Sequence, residues 1–230
     1  MKKTIFVAGA AGAIGLPLVK LLAGRGHKVF GLTRDAGKAG ILEQAGCLPV
    51  VADVYDLPGL RQALRDIEID VLVHQLTDLP FGLTAELLPE GFLRNARIRD
   101  EGTRNLLEAT GPVPRLVAQS IAFCHGNNPG PFTESDPVEN DSIRRFEERL
   151  LAHPAATAVL RYGFLYGPGT GMQGTPPPGS ISPETAALVA VCAIEDVATG
   201  IFQAAGPGPF DTAKARSTWP VLETPLSRLP

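Results

Sequence analysis

Three glycines close to the amino terminus have the spacing of a loop that can receive a phosphate group. They are Gly9, Gly12 and Gly15, within the segment GAAGAIG. In such a loop the first glycine permits a tight turn, the second lets a pyrophosphate approach the backbone, and the third lets the following helix pack closely on a sheet. Free N–H groups where that helix begins, at Ala13 and Ile14, would then hold the phosphates.

The sequence around the loop supplies the strand and the helix that this chemistry requires. Residues 4–8, Thr-Ile-Phe-Val-Ala, are apolar and rich in strand-forming types, which predicts a short buried strand. An apolar helix follows from Ile14 and ends near Gly24 and Gly26. Because dinucleotide sites place their glycine loop between a strand and a helix, we predict that the chain binds a nicotinamide dinucleotide. An empty Rossmann fold is the alternative.

The end of the second strand bears on which dinucleotide is bound. An acidic residue there would accept hydrogen bonds from ribose hydroxyls, whereas an arginine would pair with a 2′-phosphate. The chain has Thr33-Arg34-Asp35, with Lys38 nearby. Because the basic residue comes first, Arg34 and Lys38 favour NADP, and NAD stays the alternative. Arg34 could also be a solvated loop charge.

Short strands alternate with helices over the first two thirds of the chain. After the first unit, strands are predicted at 28–33, 48–52, 71–74, 115–119 and 156–160, and helices at 37–46, 57–64, 92–109 and 143–152. This alternation predicts an α/β fold, a Rossmann doubly wound parallel sheet with helices on both faces.

The character of the sequence changes near residue 170. Residues 167–183 contain five glycines and five prolines, which predicts a loop. Two helices are expected after it, at 184–192 and 195–204, followed by a weakly structured, proline-containing tail. We therefore predict an NAD(P)-binding domain over residues 1–170 and a reduced substrate region and tail over residues 171–230.

Composition and charge exclude several other classes of function. A net charge of −3 gives no electrostatic reason to expect binding to nucleic acid or to an anionic membrane. No run approaches the roughly 18 apolar residues of a membrane helix. Three scattered cysteines, with no CxxC pair or Cys/His cluster, predict a cytoplasmic protein without disulfides or a metal site.

Further motifs follow in a fixed order. In chain order they are the glycine loop, Ala52-Asp53-Val54, Val73-His74-Gln75-Leu76, EGTRNLL at 101–107, Gln119-Ser120, and LRYGFLYGPG at 160–169. With these motifs the sequence resembles the short-chain dehydrogenase/reductase superfamily, in its extended or atypical branch of NAD-dependent epimerases and dehydratases. The resemblance covers about residues 3–170.

The resemblance implies roles for individual residues. Those expected along the cofactor are Asp53 and Val54 at the adenine ring, His74, Gln75 and Leu76 in the nucleotide groove, and Tyr162 and Gly163 beside the nicotinamide. Ser120 would orient the substrate oxygen, although a hydroxyl at a strand end can also be a cap.

The catalytic pair of the family is missing. Its members use a tyrosine and a lysine four residues apart, on the helix between the fifth and sixth strands, to move a proton. Here that helix contains neither residue. Aligning Glu148 with the glutamate that commonly follows the lysine puts Asn140 and Arg144 at the two positions. Arg144 could still hold the ribose, but Asn140 cannot serve as an acid.

Other residues near Ser120 could replace the lost acid. A histidine side chain can donate or accept a proton near neutral pH, so His125 is the first candidate, with a solvent-facing loop histidine as the alternative. Tyr166 is a second candidate, and Cys124 is more typical of a buried apolar position. The family's asparagine three residues before the Gly-Thr step is Arg99 in this sequence.

Three functions stay open from the sequence. The first is an NAD(P)-dependent oxidoreductase acting on a small carbonyl or alcohol. The second is a non-redox isomerase, dehydratase or cyclase on the same scaffold, and the third is a non-enzymatic dinucleotide sensor. Because the family's substrate region is shortened, the pocket could be open or completed by a second subunit in a homodimer.

Overall fold

A computed structural model describes residues 1–79, 86–126, 129–172 and 175–220. The strands are β1 (Thr4–Ala8), β2 (Lys28–Thr33), β3 (Leu48–Val51), β4 (Val71–His74), β5 (Arg115–Ile121), β6 (Ala156–Tyr162), β7 (Phe164–Leu165), β8 (Ser180–Ile181) and β9 (Gly200–Ala204). The helices are α1 (Gly15–Gly24), α2 (Ala39–Gln44), α3 (Leu57–Leu64), α4 (Leu88–Arg97), α5 (Thr103–Thr110), α6 (Asp141–Leu151), α7 (Pro183–Glu195) and α8 (Ala213–Thr218).

Seven strands form one parallel sheet in the order β3-β2-β1-β4-β5-β6-β9. The chain direction across the sheet reverses between β1 and β4, which pair from Ile5 to Ala8 against Val71 to His74. At such a reversal the connections leave toward opposite faces, and a crevice opens at the carboxyl ends of the strands. The predicted doubly wound Rossmann fold is confirmed.

Alternating side chains of each strand build a core on both faces of the sheet. In β1, Ile5 and Val7 join the core under α1 and α7, whereas Phe6 and Ala8 join the core under α3, α5 and α6. Successive strand residues point to opposite faces, so a strand covered on both sides must be apolar throughout. No helix among the described residues is long and apolar enough to cross a membrane.

The structure corrects the expectation of a helix at 195–204. Residues Gly200–Ala204 form β9, which pairs in parallel with β6. Phe202 and Ala204 join the core beneath α7, while Ile201 packs on the opposite face. A short apolar run such as Ile-Phe-Gln-Ala-Ala is compatible with a strand or a helix. Here it forms a strand because it pairs with the edge of β6.

The described residues beyond position 170 are more ordered than the sequence suggested, whereas residues 221–230 of the predicted tail lie outside the described part of the chain. The loop at 167–183 contains β8, which pairs with β7. Trp219, after α8, is buried against Phe202 with ring centroids 4.4 Å apart, and its Nε1 donates to Asp196 Oδ2 at 3.0 Å. The division near residue 170 stays a prediction, although the sheet and the helix layer that covers it continue past that point.

The long helix expected at 92–109 consists of three consecutive pieces. Helix α4 leads into a π-helical turn at Ile98–Gly102, and α5 follows. π-Helical turns are rare and occur frequently at functional sites. This one lies beside the carboxyl end of β4, where His74 Nε2 is 2.9 Å from Thr103 Oγ1.

A buried ion pair fixes α6 to the sheet. Arg161, on β6, donates from Nη2 to Glu147 Oε2 at 2.7 Å and from Nε to Glu147 Oε1 at 2.9 Å. Both side chains are almost fully buried, 2% and 4% exposed. Glu147 Oε1 also accepts a hydrogen bond from Ser120 Oγ, on β5, at 2.7 Å. The carboxylate thus joins α6 to two strands.

Breaking this pair from one side should destabilise the fold strongly. Glu147→Gln leaves the Arg161 guanidinium buried without its counter-charge, so we expect the free energy of unfolding to fall by about 3–5 kcal/mol. Glu148→Gln is the matched control, because Glu148 pairs with Arg144 on the exposed face of α6; there we expect a change below about 1 kcal/mol. Urea denaturation measures both, and equal losses would contradict the assignment.

Acid should weaken the fold through His74. Leu76 N–H donates to Nδ1 of this buried ring at 3.3 Å, so the neutral form carries its proton on Nε2. Burial lowers the pKa of His74 to about 4, from 6.5 in the unfolded chain. The unfolded state therefore binds the extra proton first, and stability present above pH 6.5 is lost as the pH falls toward 4, by roughly 3 kcal/mol.

Denaturation of the wild type and of His74→Gln across this pH range measures the effect. The carboxyl groups titrate in both proteins, so the difference between the two curves isolates the histidine. The difference should shrink with acidification. A constant difference would show that His74 is not held neutral.

Candidate functional site

One groove of about 1090 Å³ opens at the carboxyl ends of the strands, where β1 and β4 diverge. The glycine loop and the residues after β2 line one part of it, and Ser120 and Phe123, at the end of β5, line another. Predicted residues that line this groove are Gly9, Gly12, Ala13, Ile14, Gly15, Arg34, Lys38, Asp53, Val54, Gln75, Leu76, Ser120, Tyr162 and Gly163.

The glycine loop has the close approaches that its pattern implies. Gly9 has φ of +88°, and a Cβ there would lie 2.6 Å from the carbonyl oxygen of Gln75. A Cβ on Gly15 would collide with the carbonyl oxygen of Gly9. Gly12 is less confined, since the nearest atom to its added Cβ is the Gly9 oxygen at 3.2 Å. Gly12 lines the groove, and a ligand can approach its backbone closely because it has no side chain.

The amino terminus of α1 has features that favour the binding of an anion. It has no side-chain cap and no acidic residue in its first turn. The N–H groups of Leu16 and Leu18 already bond to backbone carbonyls. The positive end of the helix dipole, with the backbone of Ala13, Ile14 and Gly15, therefore lines the groove without competition from a carboxylate.

Gln75 gives a second sign that a polar ligand belongs here. Its side chain is 6% exposed and lines the groove, yet within the described residues neither amide atom makes a hydrogen bond of ordinary geometry, although the Tyr162 hydroxyl lies near enough to interact with it. The neighbouring Tyr162 hydroxyl donates to the carbonyl of Ala186 instead, at 3.1 Å. Buried amide groups left unpaired are costly. The glycine loop and Gln75 together fit a bound dinucleotide.

The residues after β2 present positive charge to the groove. Asp35 does not point to a ribose, because its Oδ1 accepts from the Gly37 N–H at 2.9 Å and caps a short helical turn. Arg34 donates to Asp78 Oδ1 at 3.1 Å, an acceptor that it shares with Arg94 at 2.7 Å. These arginines, Arg94 first, lower the pKa of Asp78. Arg94 also lies 3.8 Å from Glu90, so these two arginines and two carboxylates balance, and Lys38 adds a positive charge to the groove wall.

Asp53 and Val54 support the loop after β3 as well as lining the groove. Asp53 Oδ1 accepts from the Tyr55 N–H at 2.9 Å. The carbonyl of Val54 accepts from Asn105 Nδ2 at 3.0 Å, which ties this loop to α5. Their side chains form the wall beside Leu76.

Ser120 lines the groove, but its proton is already engaged. Glu147, held ionised by Arg161, can only accept hydrogen bonds, so Ser120 must be the donor across the 2.7 Å contact. A hydroxyl has a single proton. In this arrangement Ser120 offers lone pairs to the groove, and it can receive an O–H or N–H group but cannot donate to a carbonyl oxygen.

Helix α6 does not bring Arg144 to the groove. Asn140 caps the helix, with Oδ1 accepting from the Ser142 and Ile143 N–H groups. The side chain of Arg144 is 45% exposed and pairs with Asp141 and Glu148, and it does not line the groove. The expectation that Arg144 holds the ribose is therefore corrected.

The inward face of α6 carries different residues. They are Ile143, Phe146, Glu147 and Leu150. Successive residues of a helix point in directions 100° apart. The sequence alignment used Glu148, which is exposed, instead of the buried Glu147, and so it selected residues on the wrong face of α6. Arg161 was the missed signal, because a charge within a strand covered on both faces requires a partner.

Three further candidates lie outside the groove lining. His74 is fully buried behind it. His125 is not a solvent-facing loop residue, since it is 3% exposed, stacks on Phe132 and donates from Nδ1 to the carbonyl of Pro137 at 2.9 Å. Tyr166 is half-buried and does not line the groove. The structure does not assemble the expected replacement acids around Ser120.

Two other protonated groups near the groove are poor acids. Burial raises the pKa of the Tyr162 hydroxyl far above its usual value. Burial also raises the pKa of the Cys124 thiol to about 11. Both keep their protons at neutral pH. The described residues contain no group of three or more histidines, cysteines, aspartates or glutamates that could hold a metal ion.

Solved structures share this fold. The enzyme WbmG of Bordetella bronchiseptica, in complex with NAD, aligns over 96% of this chain and 88% of its own, with a TM-score of 0.75 and 18% identity. The UDP-glucose 4-epimerase of Thermotoga maritima, with UDP-glucose, aligns over 93% and 91%, with a TM-score of 0.76 and 16% identity. The predicted resemblance to epimerases is confirmed for the fold.

Sequence comparison gives a nearer relative and a family. The 3-diazoavenalumate denitrifying reductase of a Streptomyces species is 40% identical over 181 residues, which are 73% of this chain and 58% of the relative. The chain thus spans under two thirds of that relative's length. Residues 9–166, from the first glycine of the loop past the end of β7, match the family described as NAD(P)H-binding. The chain belongs to this NAD(P)H-binding family.

Proposed function

We propose that this protein is an NADPH-dependent reductase that delivers hydride to an electrophile needing no proton from the enzyme. The observation that carries the proposal is the single groove shared by the glycine loop and Ser120. A dinucleotide held at the loop and extended along this groove would bring its nicotinamide toward Ser120. The reductase activity named for the Streptomyces relative supports the same class of reaction.

NADPH is favoured over NADH by the charges after β2. Asp35 caps a helical turn, whereas Arg34 and Lys38 line the groove. A 2′-phosphate would add negative charge beside Arg34 and Lys38, and a guanidinium binds phosphate oxygens in a geometry suited to its planar fork. NAD stays the alternative cofactor.

The nature of the hydride acceptor follows from the missing acid. Bound NADPH supplies a hydride, which is two electrons and one proton. A carbonyl that accepts it becomes an alkoxide and needs a proton donor, yet α6 has no tyrosine and Ser120 donates to Glu147. A cationic acceptor such as a diazonium group becomes neutral on accepting hydride. The diazo substrate named for the relative supports this class.

The absence of an acid also favours a second function, in which the chain binds the dinucleotide without redox chemistry, as a non-redox enzyme or a sensor.

The first experiment separates the reductase from this second function. Purified protein is mixed with NADPH and either an arenediazonium salt or matched aldehydes and ketones, and the loss of NADPH absorbance is followed. We expect enzyme-dependent oxidation with the diazonium salt, above the rate without protein, and none with the carbonyl compounds.

Gly12→Ala provides the matched loss of function. Its methyl group would lie where a pyrophosphate is expected, 3.2 Å from the Gly9 carbonyl oxygen, so NADPH affinity and turnover should both drop at least about tenfold, and thermal unfolding checks that the variant is folded. Gly24→Ala, at the other end of α1, meets no atom within 4 Å and should change neither. Tight NADPH binding without oxidation of any acceptor would support the second function and reject the reductase. Turnover of a simple ketone would reject the proposed acceptor class.

Arg34 should determine the preference between the two cofactors. Arg34→Ala removes the guanidinium expected at the 2′-phosphate, so the Kd for NADPH should rise about 10- to 100-fold, while the Kd for NADH stays within twofold. Arg65→Ala, which removes an exposed arginine paired only with Asp66, serves as the control. Titration calorimetry with both cofactors measures the effect. An equal loss for NADPH and NADH would disprove the role.

A further inference from the structure

Arg99 is a charged residue of the groove that neither the fold nor the proposed cofactor site uses. It lies on the π-helical turn between α4 and α5, is half-buried, and lines the groove together with Ser120 and Phe146. Its backbone carbonyl accepts from Arg149, but its guanidinium makes no hydrogen bond or ion pair within the described residues. Burial lowers its pKa, which reflects the cost of desolvating the charge.

The nearby carboxylate cannot neutralise Arg99. Glu147 is close enough to affect its charge, but it is already paired with Arg161 through both oxygens. The undescribed segments 80–85, 127–128 and 173–174 contain no aspartate or glutamate in their sequence, and the undescribed residues 221–230 contain one, Glu223. Among the described residues, one positive charge of the groove is therefore left without a counter-charge.

Aromatic surface lines the same groove. The rings of Phe123 and Phe164 stack with centroids 4.4 Å apart and an interplanar angle of 10°. Both line the groove, and the side chain of Phe123 remains 43% exposed. A flat apolar ligand can cover these rings and remove them from water.

We propose that Arg99 binds the carboxylate of an aromatic acid whose ring lies on the Phe123 and Phe164 surface. A single guanidinium matches the charge of one carboxylate and can bind both of its oxygens. This inference deepens the proposed function by naming the substrate class, and it rests on that function only in placing substrate and cofactor in the same groove.

A neighbouring cleft offers a competing position for an anion. It has a volume of about 400 Å³, lies between α4, the π-helical turn and α6, and is lined by Arg97, Arg99, Arg145 and Arg149. Arg99 and Phe146 line both spaces and so separate them. Arg145 is exposed and borders only the cleft, which makes it the matched control.

The test is the binding of trans-cinnamate and of its neutral amide, cinnamamide, measured by titration calorimetry with and without saturating NADP⁺. We expect the wild type to bind cinnamate at least tenfold more tightly than cinnamamide. Arg99→Gln should weaken cinnamate about 10- to 100-fold and leave both cinnamamide and NADPH unchanged. Arg145→Gln should have no effect on any of the three ligands.

Several outcomes would overturn the proposal. They are equal binding of acid and amide by the wild type, loss of cinnamate binding in Arg145→Gln, or loss of NADPH binding in Arg99→Gln. Thermal unfolding checks that Arg99→Gln is folded, and removal of an unpaired charge should not lower its Tm. If cinnamate binds through Arg99 but no acceptor oxidises NADPH, the anion site stands and the reductase function falls.

Discussion

The backbone at Gly9 meets the backbone at Gln75 so closely that no side chain fits between them. This contact joins the end of β1 to the segment after β4, at the point where the strand order reverses. It sets the width of the crevice, the direction in which α1 leaves the sheet, and the position of the buried Gln75 amide. The dinucleotide groove depends on this one steric constraint, because a methyl group here would push the two strand ends apart.

A second interaction decides what chemistry the groove can perform. The ionised Glu147 takes the Ser120 proton into its hydrogen bond, so a residue that could have donated to a substrate becomes an acceptor. Arg161 neutralises the carboxylate, and among the described residues Arg99 is left without a counter-charge. The electrostatics of the substrate end thus follow from the pairing of one buried glutamate.

Much of this architecture could be predicted from the sequence, for identifiable reasons. The six strands from β1 to β6 are short runs of strand-forming residues between helices, and Gly9 and Gly15 stand where backbone contact excludes other residues. Strand β9 could not be predicted, because its short apolar run carries no period that separates strand from helix. The inward face of α6 was predicted one residue out of register, since nothing local indicates whether Glu147 or Glu148 pairs with a distant arginine.

The inward face of α6 also limits how this lineage can change. Ile143 and Glu147 lie four residues apart on the face that meets the sheet, so a tyrosine and a lysine with the family's spacing would face the sheet if placed at these two positions. A lysine in place of Glu147 would put an ammonium group against the buried Arg161 guanidinium with no carboxylate between them. A pair on this face would therefore require a change at Arg161 together with the change at Glu147. The carboxylate of Glu147 thus serves the structure, and its partners on the sheet restrict which residues α6 can present on its inward face.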